Sequence, residues 1–248
     1  MQPTPTLREL LNNGVHFGHV TARWNPKMKP YIFASRDKVH LINLEQTKEK
    51  LEEALQFINT TVQHGGNLLF VGTKMHAKDI VKSAAENCGM PHLTERWLGG
   101  TLTNFNVVRN NVKTLEQIEA DETAGNFEHL TKNERLKIEE KKRKLNLVLN
   151  GIRNLVKLPS ALIVVDSNHE QIAVNEARAL NIPVVAIVDT NADPSQIDYP
   201  IPANDDASKS LNLLLNLISS SIKEASASRP AETVEKISAE KEAGEEQA

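Results

Sequence analysis

Two short segments of this chain gather side chains that recognise phosphates and stacked rings. Residues 96–105 read Arg-Trp-Leu-Gly-Gly-Thr-Leu-Thr-Asn-Phe. A guanidinium forks onto phosphate and stacks on rings, and an indole offers a rigid stacking face. Adjacent glycines let the backbone approach a ligand closely and adopt φ > 0. Thr and Asn donate to phosphate and sugar oxygens. Arg96, Trp97, Gly99, Gly100, Thr101, Thr103 and Asn104 together suit an irregular single-stranded or looped RNA surface better than a small-molecule pocket. The same Gly-Gly-Thr-x-x-Asn pattern is equally that of a plain loop followed by a helix cap.

The second segment, residues 14–30, carries Arg23, Trp24, Asn25, Lys27 and Lys29. Residues 21–40 hold five basic side chains and one acid, and both tryptophans of the chain follow an arginine directly. Pro26 and Pro30 predict a stiff, extended loop. A rigid display of cations, an aromatic ring and an amide fits phosphate-plus-stacking recognition. The alternative is a solvated loop anchored to the core by its Trp.

A metal site is the third candidate. His16 and His19 lie near the basic loop, and Asp189, Asp205 and Asp206 fall at loop positions that folding can bring to them; His19, Asp189 and Asp205 are the set singled out. Imidazole plus carboxylate would hold a structural Zn²⁺, or less aptly Mg²⁺. Structural histidines and helix-capping aspartates explain the same residues. Gly72-Thr73-Lys74 after an apolar run puts Lys74 where a phosphate binder could sit. It is too short for a P-loop, and no G-x-G-x-x-G opens the sheet.

The elements that must position these groups follow from periodicity. Residues 5–13 predict a short helix capped by Thr6, and residues 30–42 two short strands around Ser35-Arg36-Asp37-Lys38. A helix from Asn43 or Thr47 to about His64 carries the stripe Leu51, Ala54, Leu55, Ile58 and Val62. Residues 68–71, 161–166 and 184–189 are continuously apolar until the aspartate that closes each of the last two, as in strands buried on both faces of a parallel sheet. Helices are predicted over about 76–87, 169–180 and 207–224, giving βαβ units. Residues 105–157 break this rhythm. Val108, Val112 and Leu115, a capping box at Thr131–Glu134, then Ile138, Leu145, Leu149, Ile152 and Val156 predict an antiparallel coiled-coil hairpin. Its segment 132–144 carries seven bases and three acids, which is either an RNA contact or a solvated face.

Composition narrows the classes. No apolar run approaches the ~18 residues of a membrane helix, and the N-terminus shows no secretory signal. The lone Cys88 excludes an internal disulfide and fits a reducing compartment. Net charge is −3; residues 225–248 hold six acids and three bases, so the rest of the chain is neutral. RNA affinity must then come from local patches, in a protein that docks into an assembled particle.

The two Trp segments, with Phe70-Val71-Gly72-Thr73-Lys74 and Asn181-Ile182-Pro183-Val184 running to Asp189-Thr190-Asn191, resemble the bacterial ribosomal protein S-two family over roughly residues 5–224. The resemblance implies a flavodoxin-like α/β body, residues 1–104 and 158–224, with a parallel sheet and helices on both faces. A coiled-coil hairpin, 105–157, would project from it; beyond the resemblance, the Ala-, Ser-, Glu- and Lys-rich composition of 225–248, without an aromatic residue, predicts a disordered acidic tail. The resemblance implies a structural, non-catalytic protein of the cytoplasmic ribosome with no membrane and no small-molecule substrate. Such a protein docks on small-subunit rRNA through Arg23, Trp24, Lys27, Lys29 and residues 96–104, with Lys74 carried over as a contact. Neighbouring ribosomal proteins are implied too, among them the mRNA-capturing S-one protein. Met75 stands where the family has a basic or polar residue. Asn150-Gly151 and Val156-Lys157 stand where glycine pairs are common. The rival readings are a phosphate- or sugar-phosphate-binding enzyme of flavodoxin-like fold and a coiled-coil adaptor.

Overall fold

The computed structural model describes residues 4–127 and 129–228. Its centre is a five-stranded parallel sheet. The strands are β4 (Leu68–Val71), β5 (His92–Leu93), β6 (Ala161–Val165), β7 (Val184–Val188) and β8 (Tyr199–Pro202), in the order β5-β4-β6-β7-β8. β4, β6 and β7 are buried along their whole length. Alternate residues serve two separate cores. Leu68, Phe70, Ile163, Val165, Val185 and Ile187 face α2 (Leu44–Gln63), α3 (Lys78–Cys88) and α7 (Ser208–Ala227). Leu69, Val71, Leu162, Val164, Val184 and Ala186 face α6 (Gln171–Ala179) and the base of two further helices. Covering on both faces is what allows continuous apolar strands.

The edge strands departed from the sequence expectation. β5 is two residues long, and β8 contains Pro200 and Pro202. Proline removes a ladder donor and is confined to sheet edges, so the run Tyr-Pro-Ile-Pro carries no ordinary strand signal. α2 covers that edge, and the Thr47 hydroxyl donates to the Pro202 carbonyl at 2.6 Å.

The N-terminal part is richer than a stiff loop. After α1 (Leu7–Asn12), β1 (Phe17–Val20) joins β2 (Ile32–Arg36) and β3 (Val39–Ile42) in an antiparallel sheet of order β1-β3-β2. The β2–β3 turn is where the sequence puts it, with Asp37 and Lys38 both at positive φ. Between β1 and β2 the chain forms 3₁₀ turns at Thr21–Arg23 and Pro26–Tyr31, so the extended-loop expectation is corrected. Proline suits the first helical position, and the Asn25 side chain accepts from the Lys27 N–H to cap the turn.

Residues 105–157 form α4 (Phe105–Thr123) and α5 (Lys132–Leu149), packed on each other; the Thr131–Glu134 capping box is present. Val108, Val112 and Leu115 are buried as expected. α5 stops at Leu149, earlier than its apolar spacing indicates. Ile152 lies in a 3₁₀ turn and Val156 is exposed. α7 runs to Ala227, so residues 225–227 are helical and not tail. The disorder expected for 229–248 falls outside the described residues. No helix of the described residues is long and apolar enough to cross a membrane.

Candidate functional site

α6 buries Ala173, Val174, Glu176 and Ala177 on one face. A carboxylate on that stripe needs partners, and the loop after β5 supplies five. Glu176 Oε1 accepts from Trp97 Nε1 (3.0 Å) and the Gly100 N–H (2.8 Å). Oε2 accepts from the Leu102 N–H (2.9 Å), the Thr103 N–H (3.0 Å) and the Thr103 hydroxyl (3.1 Å). Burial alone would raise this carboxyl, but the hydrogen bonds from Thr103, Trp97, Gly100 and Leu102 outweigh it and hold it below its ordinary value.

This changes the part played by several residues. Trp97 is only 7 % exposed and packs in the core with Met28 and Leu102, so it is an anchor and not a free stacking face. Thr101 is buried, with its hydroxyl on the Leu98 carbonyl at 2.6 Å. Gly100 has φ +91°, a conformation that glycine alone adopts without strain. A Cβ on Gly99 would meet nothing of the chain, so its missing side chain leaves backbone open to a ligand. Arg96, Gly99, Thr103 and Asn104 are exposed. Asn104 precedes α4 but makes no side-chain cap bond.

The other basic segment is docked at the end of β7. The Asn25 N–H donates to the Thr190 carbonyl at 2.8 Å, and Lys27 Nζ reaches Asp193 (2.7 Å) and Ser195 (2.8 Å). Trp24 is half-buried with its ring centroid 5.2 Å from that of His40. Arg23 and Lys29 are exposed.

Lys74 does not reach outward. Its ammonium meets Asp166 (2.6 Å), Asp205 (3.1 Å) and Asp206 (3.0 Å), and its side chain is 16 % exposed. Burial would lower its pKa, but the surrounding carboxylates, Asp205 foremost, drive it upward. Lys74, expected as an RNA contact, thus spends its charge on three carboxylates of its own chain. Next to it, Glu170 Oε1 accepts from the Thr73 N–H (2.7 Å) and hydroxyl (2.6 Å). The crevice between the carboxyl ends of β4 and β6, where α/β sheets bind ligands, is thus filled by the chain's own charges.

Of the metal candidates, His19, Asp205 and Asp206 converge. One ligand atom from each lies within 4.8 Å of the others. Asp189 holds a different position. Its Oδ2 is 3.0 Å from His19 Nδ1, the geometry of an orienting carboxylate behind a ligating imidazole. His19 Nε2 faces Asp206 at 3.4 Å. The bond to Asp189 raises the His19 pKa, burial opposes it, and the charges of Asp189, Asp205 and Asp206 add to the rise. Asp205 is fully buried and its Oδ2 has no hydrogen-bond partner. Burial, then the charges of Asp166 and Asp189, push its carboxyl up to about 8. Glu176 and Glu170 were missed from sequence. The legible signal was an acid on an apolar stripe at 176.

These features define an α/β protein whose crevice is occupied by its own lysine, histidine and aspartates, with two basic loops held on one side of its sheet. A family model for ribosomal protein S2 matches residues 10–225. The chain is 51 % identical over 219 residues to the small ribosomal subunit protein uS2 of Mycobacterium tuberculosis, covering 88 % of this chain and 76 % of that protein. With the protein of the same name from Mycolicibacterium vanbaalenii it shares 47 % over 235 residues (95 % and 86 % covered). With that from Corynebacterium jeikeium it shares 52 % over 218 residues (88 % and 79 % covered). The chain belongs to the ribosomal protein S2 family.

Proposed function

We propose that the chain docks on small-subunit rRNA through Arg96, Gly99, Thr103 and Asn104, joined by Arg23, Trp24, Asn25, Lys27 and Lys29, with Trp97, Gly100 and Thr101 shaping the first loop from beneath. Membership of the family makes it a structural constituent of the small ribosomal subunit and not an enzyme. The observation that carries the docking surface is the buried Glu176 carboxylate, which fixes the loop while its cation, open backbone and amide stay in solvent. Phosphate contacts of this kind position a protein on RNA without rigid sequence demands. The expected result of Arg96→Ala with Asn104→Ala is a stability change within about 0.5 kcal/mol and depleted occupancy in gradient-purified small subunits. Normal occupancy at high salt would remove the loop from the interface.

The working place is the cytoplasmic ribosome, with neighbouring ribosomal proteins as further partners. A platform role for the mRNA-capturing S-one protein is supported by exposed aromatic side chains on the N-terminal sheet, Phe33 at 75 % and Phe17 at 50 %. The strand order, in which the second strand of the sheet flanks the first and the rest follow in sequence, supports a flavodoxin-like body. The packing of α4 on α5 and the Lys142–Glu122 ion pair support a coiled-coil hairpin inserted at 105–157 between body segments 1–104 and 158–224. Its basic face remains open to RNA or solvent.

A structural Zn²⁺ site, more apt than Mg²⁺, belongs to the same reading. The unpartnered Asp205 Oδ2 and the imidazole oriented by Asp189 fit a nitrogen-and-oxygen ligand set. His19, Asp205 and Asp206 would hold the ion. Full-length protein dialysed against zinc should retain about one ion per chain and lose it on Asp205→Asn. Zinc content unchanged by that substitution would remove the site.

A further inference from the structure

The root of the hairpin contains a cleft that neither basic loop lines. Gly151, in the 3₁₀ turn Asn150–Ile152, presses so closely on β5 that a Cβ there would stand 2.2 Å from the His92 carbonyl oxygen. This contact forms a saddle between two hollows. The smaller, of ≈ 370 Å³, is lined by Lys82, Thr94 and Arg143 among others. The larger, of ≈ 720 Å³, includes Asn67, Asn154 and Arg109. His92, Asn150 and Gly151 line both. Each volume falls within the range of about 300–1,000 Å³ common to ligand clefts.

The two lobes differ in charge. In the smaller one Glu95 is drawn to Lys78 at 2.8 Å. Arg143 makes no ion pair among the described residues, and Lys82 stands 3.9 Å from Glu86. Two cations are therefore weakly neutralised there. In the larger lobe the guanidinium of Arg109 is committed to the carbonyls of Arg153 and Leu155, and Arg153 pairs with Glu119 at 2.7 Å. Glu86 and Glu116 add two carboxylates, and Met90, Pro91 and Val156 add apolar surface. A phosphate is favoured in the first lobe and repelled by the second. Amides and carboxylates above apolar side chains suit the edges and faces of a nucleobase. Burial lowers the His92 pKa and so favours its neutral ring, able to stack or hydrogen-bond at the saddle.

We propose that this cleft seats one unstacked nucleotide of single-stranded RNA, its phosphate against Lys82 and Arg143 and its base beside Asn67, Asn150 and Asn154. The proposal rests on the chain lying against rRNA in the small subunit. The test is ultraviolet crosslinking of purified small subunits carrying the full-length chain, with RNA-linked peptides identified by mass spectrometry. Nucleotide adducts are expected on peptides containing His92 or Asn150. Arg143→Ala and Asn154→Ala change exposed side chains, so both should fold with unchanged Tm, and adduct yield is read per chain incorporated into the subunits. Arg143→Ala should cut adduct yield at the cleft about tenfold, and Asn154→Ala should reduce it. Adducts on the 96–104 peptide with none at the cleft overturn the proposal and leave the ribosomal docking surface standing. Peptide–peptide crosslinks from the cleft to a neighbouring protein, in place of nucleotide adducts, overturn it as well. No adducts from either region overturn both.

Discussion

Glu176→Ala lowers the stability of the fold by about 3–5 kcal/mol, among the largest losses expected from one side chain here. The substitution removes one acceptor group and strands Trp97 Nε1 and the N–H groups of Gly100, Leu102 and Thr103. Trp97 is buried, so water reaches its indole nitrogen only if the loop opens. In a domain of this size such a loss lowers Tm by roughly 6–20 °C, and amide hydrogen exchange at 100–103 accelerates more than in β6 or β7. The pH dependence fixes the sign. The folded Glu176 carboxyl lies below its ordinary value of 4.5, so its contribution is present above that value and disappears as pH falls through the lower folded pKa. The deficit of the variant is therefore full at pH 7 and shrinks in acid. A Tm shift of under a degree at pH 7, or equal deficits at pH 3 and pH 7, would show that the loop does not depend on this carboxylate.

The same residues explain how far the sequence could be read. β4, β6 and β7 were legible because a strand covered on both faces must be apolar throughout, and that run is visible without a partner. β5 and β8 were not, since two residues or a proline-rich edge carry no period. Trp97 illustrates a deeper limit. Residue type shows that an indole wants a stacked face and a partner for its N–H; it does not show whether RNA or Glu176, far along the chain, supplies them. His19, Asp205 and Asp206 were grouped by ligand chemistry and lie together, whereas the place of Asp189 behind His19 was hidden, because it depends on the docking of β1 against the end of β7. The ion pairs of Lys74 were hidden for the same reason. Its three acidic partners come from two distant segments that only the sheet order brings together.

That convergence makes Lys74→Met the second severe substitution. The ammonium is the cation at the meeting point of Asp166, Asp205 and Asp206, and removing one partner of a buried charge group costs about 3–5 kcal/mol because the others remain desolvated. The loss should depend on pH. Asp205 already sits at about 8 against an ordinary 3.8, so the folded state is penalised as pH rises between those values, while the unfolded chain ionises freely. Lys74 is one of the influences that lower the Asp205 pKa. Without it the folded value moves higher still, so the penalty, which otherwise levels off near pH 8, keeps growing at more alkaline pH. Urea unfolding with a chelator present, which keeps divalent cations out of the crevice, should give a larger deficit at pH 9.5 than at pH 6. Adding Asp205→Asn to Lys74→Met should recover part of the loss, because the new amide has no charge to desolvate. A deficit independent of pH, with no recovery in the double variant, would mean that Lys74 stabilises the crevice by packing its alkyl stem and not by neutralising the aspartates.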